Sequence, residues 1–157
     1  MKLKVYIETT IISYLAARLS SNTIIAGRQV LTQEWWDQRR NAFDLVVSEL
    51  VFQEAENGDS EVAQKRIAYI NDIDSLTISD EGVLLAETLV NEDAVPRQYG
   101  EDALHIAICA VNGIDFLLTW NCKHLANATL RHKIETVVEN QGYQCPVICT
   151  PAELMED

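Results

Sequence analysis

The chain has 157 residues, of which 48% are hydrophobic, so it is long and apolar enough for one folded domain with a sizeable core, and disorder is not expected. It has no apolar run of roughly 18 residues and no secretory pattern at its N-terminus, so we expect a single cytoplasmic domain over residues 1–157 with no membrane partner. The formal net charge of −12 argues against a protein that coats nucleic acid with its whole surface, because phosphate binding needs cations.

Strand patterns and helix patterns alternate along the sequence. The predicted elements, in chain order, are a strand at 2–7, helices at 10–18 and 20–40, a strand at 44–48, helices at 49–57 and 60–73, a strand at 74–79, helices at 80–92 and 99–113, a strand at 115–120, a helix at 124–140 and a strand at 146–150. The strand segments KVYI, LVV and FLL are not interrupted by a regular alternation of polar residues. This pattern predicts an α/β protein whose parallel central sheet is covered by helices on both faces.

Four polar side chains follow the ends of predicted strands or begin predicted helices. In an open parallel sheet, sites form at the carboxyl ends of the strands, near the point where the strand order reverses. Glu8 directly follows the predicted strand at 2–7, and Asn121 directly follows the strand at 115–120. Glu54 lies one to two turns into the helix that follows the strand at 44–48. Asp102 lies in the first turns of the helix at 99–113, where the positive helix end favours an anion. We expect these four side chains to meet at one edge of the sheet.

Two of these residues also have purely local explanations. Glu8 could cap the helix that follows it, although Thr9 or Thr10 is the better N-cap type. Asn121 could be an ordinary turn residue after its strand. Their placement together with two further acids is what favours a functional role.

The other two acids have close competitors in the sequence. Glu54 could be a solvated helix residue, and Glu49 and Glu56 are alternative candidates for the same helix. Asp102 could be a simple first-turn acid of the kind that Glu101 is expected to be. From the residues alone these alternatives stay open.

Three converging carboxylates repel one another unless a cation lies between them. Ligands that are all oxygen suit Mg²⁺ or Mn²⁺, and Mg²⁺ commonly engages substrate phosphate as well. Such an ion makes water a better nucleophile and stabilises in-line attack on phosphorus. The chemistry indicated is phosphodiester hydrolysis with a metal-activated water.

Four stretches that span nearly the whole chain resemble the PIN domain, specifically the VapC-like toxins of bacterial type II toxin–antitoxin systems. They are VYIETTIISYL, LVVSELVFQE, EDALHIAICAVNGIDFLLTWNCKHLAN and PVICTPAEL, and DALHIA followed by DFLLTWN is the most specific part. The resemblance implies a Rossmann-like three-layer fold with about five parallel strands. It also implies a Mg²⁺- or Mn²⁺-dependent endoribonuclease that acts on RNA, is usually a homodimer, and is held inactive by a cognate antitoxin protein.

The family's acidic site falls, residue by residue, on Glu8, Glu54, Asp102 and Asn121, with Thr10 at a supporting hydroxyl position. The resemblance implies that the first three hold the metal. Two positions depart from the family, because most members have Asp where this chain has Glu8 and Asn121. The loss of one charge predicts weaker metal affinity than in a four-carboxylate site. The departures leave an alternative, a PIN-like module that binds nucleic acid or an antitoxin without cleaving.

Further residues could assist the site. His105 follows Asp102 by three positions, so it lies near the same helix face and could bond a site carboxylate or be structural. The segment 121–133 has no acid, and we expect its cationic side chains to grip the RNA backbone. These RNA-binding candidates are Lys123, His124, Arg131 and Lys133.

Two aromatic groups allow either of two interpretations. Trp35 and Trp36 lie beside two arginines, an arrangement that can stack on unpaired bases or pack a helix hairpin. Trp120 precedes Asn121 and could wall a cleft or belong to the core. A small-molecule α/β enzyme is a weaker third hypothesis, because the sequence has no GxGxxG or P-loop motif.

Overall fold

The computed structural model describes residues 1–156 and contains one five-stranded sheet in which every neighbouring pair is parallel. The strands are β1 (Lys4–Ile7), β2 (Asp44–Ser48), β3 (Asp74–Leu76), β4 (Phe116–Leu118) and β5 (Val147–Cys149). Their spatial order is β3-β2-β1-β4-β5, so the chain builds outward from β1 in one direction and then in the other. The predicted α/β class and the sheet of about five parallel strands are confirmed.

The helices form two groups. They are α1 (Thr9–Ala16), α2 (Thr23–Gln38), α3 (Glu49–Ala55), α4 (Ser60–Ile70), α5 (Asp80–Asn91), α6 (Gly100–Val111) and α7 (Ala128–Asn140), with short 3₁₀ turns at Arg40–Ala42, Arg97–Tyr99 and Pro151–Leu154. Helix α1 packs against α2, α3 and α4, whereas α5 packs against α6 and α7. Three successive residues of β1 (Val5, Tyr6 and Ile7) are fully buried, as expected for a strand covered on both faces.

Side-chain caps decide where several helices begin. Asn22 accepts hydrogen bonds from the backbone N–H groups at the start of α2, as its residue type predicts. Asp59 caps α4 by accepting from the backbone N–H groups of Glu61 and Val62, so Ser60 is the first helical residue. Helix α7 begins after its cap Asn127, several residues later than predicted, because residues 122–126 form turns.

The Trp35–Trp36 pair belongs to the packing between α2 and the sheet. Trp35 is fully buried and stacks on Phe43 with ring centroids 6.0 Å apart. Trp36 packs edge-to-face against Tyr69, with centroids 5.6 Å apart. Both side chains are therefore occupied in the interior, which favours the packing interpretation over base stacking.

None of the helices within residues 1–156 combines the length and the apolar character needed to cross a lipid bilayer.

Candidate active site

Glu8 lies at the carboxyl end of β1, where the order of the strands reverses. Its backbone N–H still pairs with the carbonyl of Leu118 at the end of β4, at 3.1 Å. Its side chain is only 4% exposed. Oε1 accepts hydrogen bonds from the hydroxyls of Thr10, at 2.5 Å, and Thr119, at 2.6 Å. The buried carboxylate is thus fixed by two hydroxyls that belong to α1 and to the segment after β4.

The expectation that Thr9 or Thr10 caps α1 is wrong. Glu8 occupies the N-cap position without a side-chain capping bond, and both threonines lie inside the first turn of the helix. Their hydroxyls serve carboxylates instead: Thr9 donates to Oε1 of Glu54 at 2.5 Å, and Thr10 donates to Glu8. Thr10 Oγ1 also accepts from the backbone N–H of Trp120 at 2.8 Å. The first turn of α1 therefore ties the ends of β1 and β4 to helix α3.

Among the three acids of α3 and its C-terminal end, Glu54 is the one that faces Glu8. Helix α3 follows β2 directly and is capped by Ser48, whose hydroxyl accepts from the N–H of Val51 at 3.3 Å. Glu49 points elsewhere, since its Oε2 accepts from the N–H of Ile78 at 3.0 Å. Glu56 is exposed. Glu49 and Glu56 are therefore not part of the cluster.

A buried chain of hydrogen bonds runs beneath Glu54. The ring of His105 is fully buried, and its Nε2 lies 2.8 Å from Oε1 of Glu54. Its Nδ1 lies 2.7 Å from the hydroxyl of Tyr6, which lies 2.7 Å from Oγ of Ser48. Tyr6 and Ser48 were not among the predicted site residues. In the sequence, each is marked only as a single polar group beside the buried apolar residues of β1 or β2, which is a weak indication of a role in a site.

Asp102 and Asn121 form a second hydrogen-bonded pair. The side-chain Nδ2 of Asn121 donates to Oδ1 of Asp102 at 3.2 Å. Oδ1 of Asn121 accepts from the backbone N–H of His124 at 3.1 Å, and its own N–H donates to Thr119 Oγ1 at 2.9 Å. The amide therefore connects helix α6 to the loop that follows β4.

Within residues 1–156, one group of side chains places three potential metal ligands together. One atom from each of Glu8, Glu54 and His105 lies within 4.8 Å of the other two. Asp102 does not belong to this group, although its half-buried carboxyl feels the charges of His105 and Glu54. The structure therefore brings two of the three expected metal ligands into one tight group and adds a histidine.

The electrostatics of the carboxyls show why a cation suits this place. Burial raises the pKa of Glu8, despite the opposing effects of His105 and the Thr10 and Thr119 hydroxyls. Burial also raises the pKa of Asp102. At Glu54, burial acts upward, but the hydrogen bond and charge of His105 and the Thr9 hydroxyl outweigh it, and the pKa is lowered. The carboxyls of Glu8 and Asp102 therefore lack a compensating positive charge. A divalent cation would supply that charge, and the carboxylate oxygens are suitable ligands for it.

The predicted RNA-binding residues differ in their exposure. Lys123 and Lys133 are exposed, whereas Arg131 is half-buried and acts electrostatically on Cys149, the last residue of β5. His124 is buried and stacks on Tyr99, with ring centroids 3.8 Å apart.

These contacts place the segment near the candidate site. The charge of His124 acts on the carboxyl of Asp102 and tends to lower its pKa. Both Arg131 Nε and His124 Nε2 are buried and find no hydrogen-bond partner among residues 1–156. The start of α7 therefore lies at the same edge of the sheet as the acids.

The tryptophan next to Asn121 is partly buried against α1 and α2. Its Nε1 donates to Thr32 Oγ1 at 2.7 Å, and the guanidinium of Arg28 lies 5.2 Å from the centre of the Trp120 ring. Tyr14 packs beside it, with centroids 6.3 Å apart. Trp120 thus fixes the start of the loop that carries Asn121.

Comparison with known proteins identifies the fold. No protein-family model matches the sequence, and no curated protein matches it either. VapC20 of Mycobacterium tuberculosis, a toxin that cleaves the sarcin–ricin loop, matches over 90% of this chain and 99% of its own, with a TM-score of 0.59 and 14% identity. A chain of VapBC2 from Rickettsia felis, crystallised with a DNA fragment from its promoter, matches over 94% and 98%, with a TM-score of 0.56 and 11% identity.

The parallel sheet with helices on both faces is an α/β, PIN-like fold. More narrowly, the fold is VapC-like, because it is shared with the VapC20 and VapBC2 structures over nearly the whole chain. The fold expected from the resemblance of the sequence is confirmed.

Proposed function

We propose that this protein is a metal-dependent endoribonuclease that hydrolyses RNA phosphodiester bonds. The observation that carries the proposal is the tight group that Glu8 and Glu54 form with His105, beside an Asp102–Asn121 pair near enough for Asp102 to feel the charges of His105 and Glu54. VapC20, which shares the fold, is a toxin that cleaves RNA in the sarcin–ricin loop. A site at a strand-order reversal is where open α/β sheets commonly bind ligands.

Glu8, Glu54 and Asp102 are the carboxylates that would hold Mg²⁺ or Mn²⁺. A bound divalent ion supplies charge that stabilises in-line attack on phosphorus and makes water a better nucleophile. Asn121 orients Asp102 through its amide, and Thr10 fixes the carboxylate of Glu8. Because Glu8 is buried, its hydrogen bonds to protein groups determine the orientation of its carboxylate.

The cations around α7 would bind the RNA backbone. Lys123 and Lys133 offer exposed ammonium groups, and Arg131 and His124 lie at the edge of the sheet that carries the acids. We also propose a cognate antitoxin as partner, in a cytoplasmic homodimer, since the VapBC2 structure that shares this fold is of a toxin–antitoxin pair bound to promoter DNA.

The test is cleavage of a single-stranded RNA with Mg²⁺ or Mn²⁺, compared with the same reaction in EDTA. We expect Asp102→Asn and Glu54→Gln to lose cleavage by at least about a hundredfold. Glu56→Gln is the matched control, because Glu56 is exposed and lies just past the end of the helix that carries Glu54. Equal cleavage by the wild type and Asp102→Asn would overturn the assignment, and a deoxy substrate tests whether the activity is limited to RNA.

One observation favours a second candidate, a PIN-like module that binds without cleaving. Both polar atoms of the Asn121 side chain are occupied, by Asp102 and by the N–H of His124, and Asp102 lies outside the tight ligand group. Tight binding of RNA or of an antitoxin by the wild type, without cleavage under either metal, would support this candidate.

A further inference from the structure

His105 is placed as a metal ligand would be, although the sequence predicted at most a supporting role for it. A ring nitrogen of His105 and carboxylate oxygens of Glu8 and Glu54 lie within 4.8 Å of one another, and Nε2 is the ring nitrogen that contacts Glu54. An octahedral ion with ligands at about 2.1 Å sets neighbouring ligand atoms about 3 Å apart. The observed separation of 2.8 Å between Nε2 and Oε1 of Glu54 therefore suits two ligands of the same ion.

The far side of the imidazole has the support that ligating histidines commonly have. Nδ1 lies 2.7 Å from the hydroxyl of Tyr6, and that hydroxyl lies 2.7 Å from Ser48 Oγ. When Nδ1–H donates to Tyr6, the lone pair of Nε2 faces the two carboxylates. Such an outer partner fixes both the tautomer and the orientation of a ligating ring.

Asp102 leaves room for this role. Its Oδ1 accepts from the amide of Asn121, and the residue does not belong to the tight group. Among residues 1–156, the tight group therefore contains two carboxylates, and His105 supplies its third potential ligand.

We propose that His105 Nε2 is a direct ligand of the divalent cation, beside Glu8 and Glu54, and that the site consequently prefers Mn²⁺ to Mg²⁺. The inference rests on the proposed function in requiring that this edge of the sheet binds an ion. Imidazole suits transition metals, whereas Mg²⁺ prefers oxygen ligands. In the metal-free protein the ring is an imidazolium that donates from Nδ1 to Tyr6 and from Nε2 to Glu54; the ion would replace the Nε2 proton, which leaves to solvent, and the ring would stay neutral with its proton on Nδ1.

Pulsed electron paramagnetic resonance of the Mn²⁺-loaded full chain tests the bond directly. We expect a ¹⁴N coupling of the size given by directly bound imidazole, replaced by a ¹⁵N coupling after labelling with ¹⁵N-histidine. The chain has three histidines, so the double variant His124→Gln/His132→Gln leaves His105 as the single possible source. Nitrogen coupling that persists in this variant supports the proposal, and the ring of His105 itself is unchanged in the test. Loss of the coupling in this variant overturns the proposal.

Calorimetric titration gives the second readout. We expect the wild type to bind Mn²⁺ more tightly than Mg²⁺, and His105→Gln to reduce the ratio of the two affinities by about tenfold or more. Circular dichroism and a thermal melt show whether His105→Gln is folded, and if it is not, the double variant decides the question. An unchanged ratio in folded His105→Gln overturns the inference.

The outcomes separate this inference from the proposed function. If Mn²⁺ binds without nitrogen coupling and the protein still cleaves RNA, His105 only orients Glu54 and the inference fails alone. If Mn²⁺ does not bind and Asp102→Asn behaves like the wild type, the metal-dependent nuclease fails as well.

Discussion

The side-chain amide of Asn121 donates a hydrogen bond to the carboxylate of Asp102 at 3.2 Å. The sequence resemblance implies an acid at this position in most members of the family, whereas this chain has a neutral amide. A donor at this place stabilises the carboxylate form of Asp102 and so opposes the effect of burial, which raises the pKa of that group. The hydrogen bond from Asn121 thus gives the Asp102 carboxylate part of the stabilisation that a nearby positive charge would provide.

Replacing the amide by an acid should make the site more dependent on metal. Asn121→Asp loses the hydrogen bond and sets a second carboxylate beside Asp102, so we expect the metal-free protein to lose about 1 kcal/mol of stability at neutral pH. With the extra charge, affinity for Mn²⁺ should rise on the order of tenfold. Urea unfolding in EDTA and calorimetric titration with Mn²⁺ measure the two effects.

The control for this change is Asn140→Asp, at the exposed end of α7. It adds the same charge at the far end of α7 from Asn121 and should leave the affinity for Mn²⁺ unaltered. Equal metal affinity in Asn121→Asp and the wild type would show that the fourth charge does not limit binding.

Glu8 should make the metal-free protein less stable as the pH rises. Burial raises the pKa of Glu8 above its ordinary value of 4.5. An acid with a raised folded-state pKa contributes stability below its unfolded pKa, and this contribution is lost as the pH rises through the folded-state value. In EDTA, Glu8→Gln should therefore raise the unfolding temperature at pH 7 to 8, while the gain shrinks toward pH 4.5.

The same variant should lose metal-dependent cleavage, because Gln keeps an acceptor for the Thr10 and Thr119 hydroxyls but carries no charge. Thermal melts across this pH range, with Glu56→Gln as the exposed control, measure the effect on stability. A gain that is constant across the range would contradict the assigned cause.

Much of the architecture was predictable from the sequence because local patterns determine it. The predicted bounds of β2 match those observed, and the alternation of strands and helices gave the parallel sheet. Helix α7 was predicted to begin too early, because the carbonyl of Asn121 accepts from the N–H groups of Leu125 and Ala126 and holds residues 122–126 in turns. The spacing of apolar residues, from which the helix was predicted, does not reveal these hydrogen bonds.

The details of the site were less accessible, because they depend on partners far apart in the chain. The contacts of Tyr6 with Ser48 and with His105 join residues 42 and 99 positions apart, and no spacing rule reports them. N-cap preference likewise failed for Thr9 and Thr10, since bonds to two carboxylates replace the capping bond. The expectation that these acids lie near one another came from strand ends and a helix start, whereas the hydroxyl and imidazole contacts of Glu8 and Glu54 required the tertiary structure.

The buried hydroxyl of Tyr6 should contribute measurably to stability. Tyr6→Phe keeps the ring in the core but leaves Ser48 Oγ and His105 Nδ1 without this partner, so we expect a loss of about 1–3 kcal/mol in the free energy of unfolding. Urea denaturation provides the measurement. Tyr14→Phe is the matched control, because its hydroxyl takes no part in this chain of hydrogen bonds and its ring packs beside Trp120.

A double-mutant cycle separates the bond from general effects of the substitution. Ser48→Ala removes the other end of the Tyr6 hydrogen bond and also the cap of α3. Because the two groups touch, the two losses should be non-additive by roughly 0.5 kcal/mol or more. Strict additivity would mean that the Tyr6–Ser48 bond contributes nothing of its own.

The cations beside the acids should set the salt dependence of RNA binding. Each phosphate contact to a single strand contributes about 0.7 to the slope of log affinity against log salt. Lys123→Gln, Arg131→Gln and Lys133→Gln should each weaken binding and reduce the slope by about that amount, since Lys123 and Lys133 are exposed and Arg131 lies by the end of β5. Fluorescence anisotropy in an Asp102→Asn background measures binding without cleavage.

Lys2→Gln is the control, because Lys2 precedes β1 and lies at the opposite edge of the sheet. Slopes that fall equally in Lys2→Gln would show a general charge effect, and unchanged slopes in all three test variants would place the RNA elsewhere.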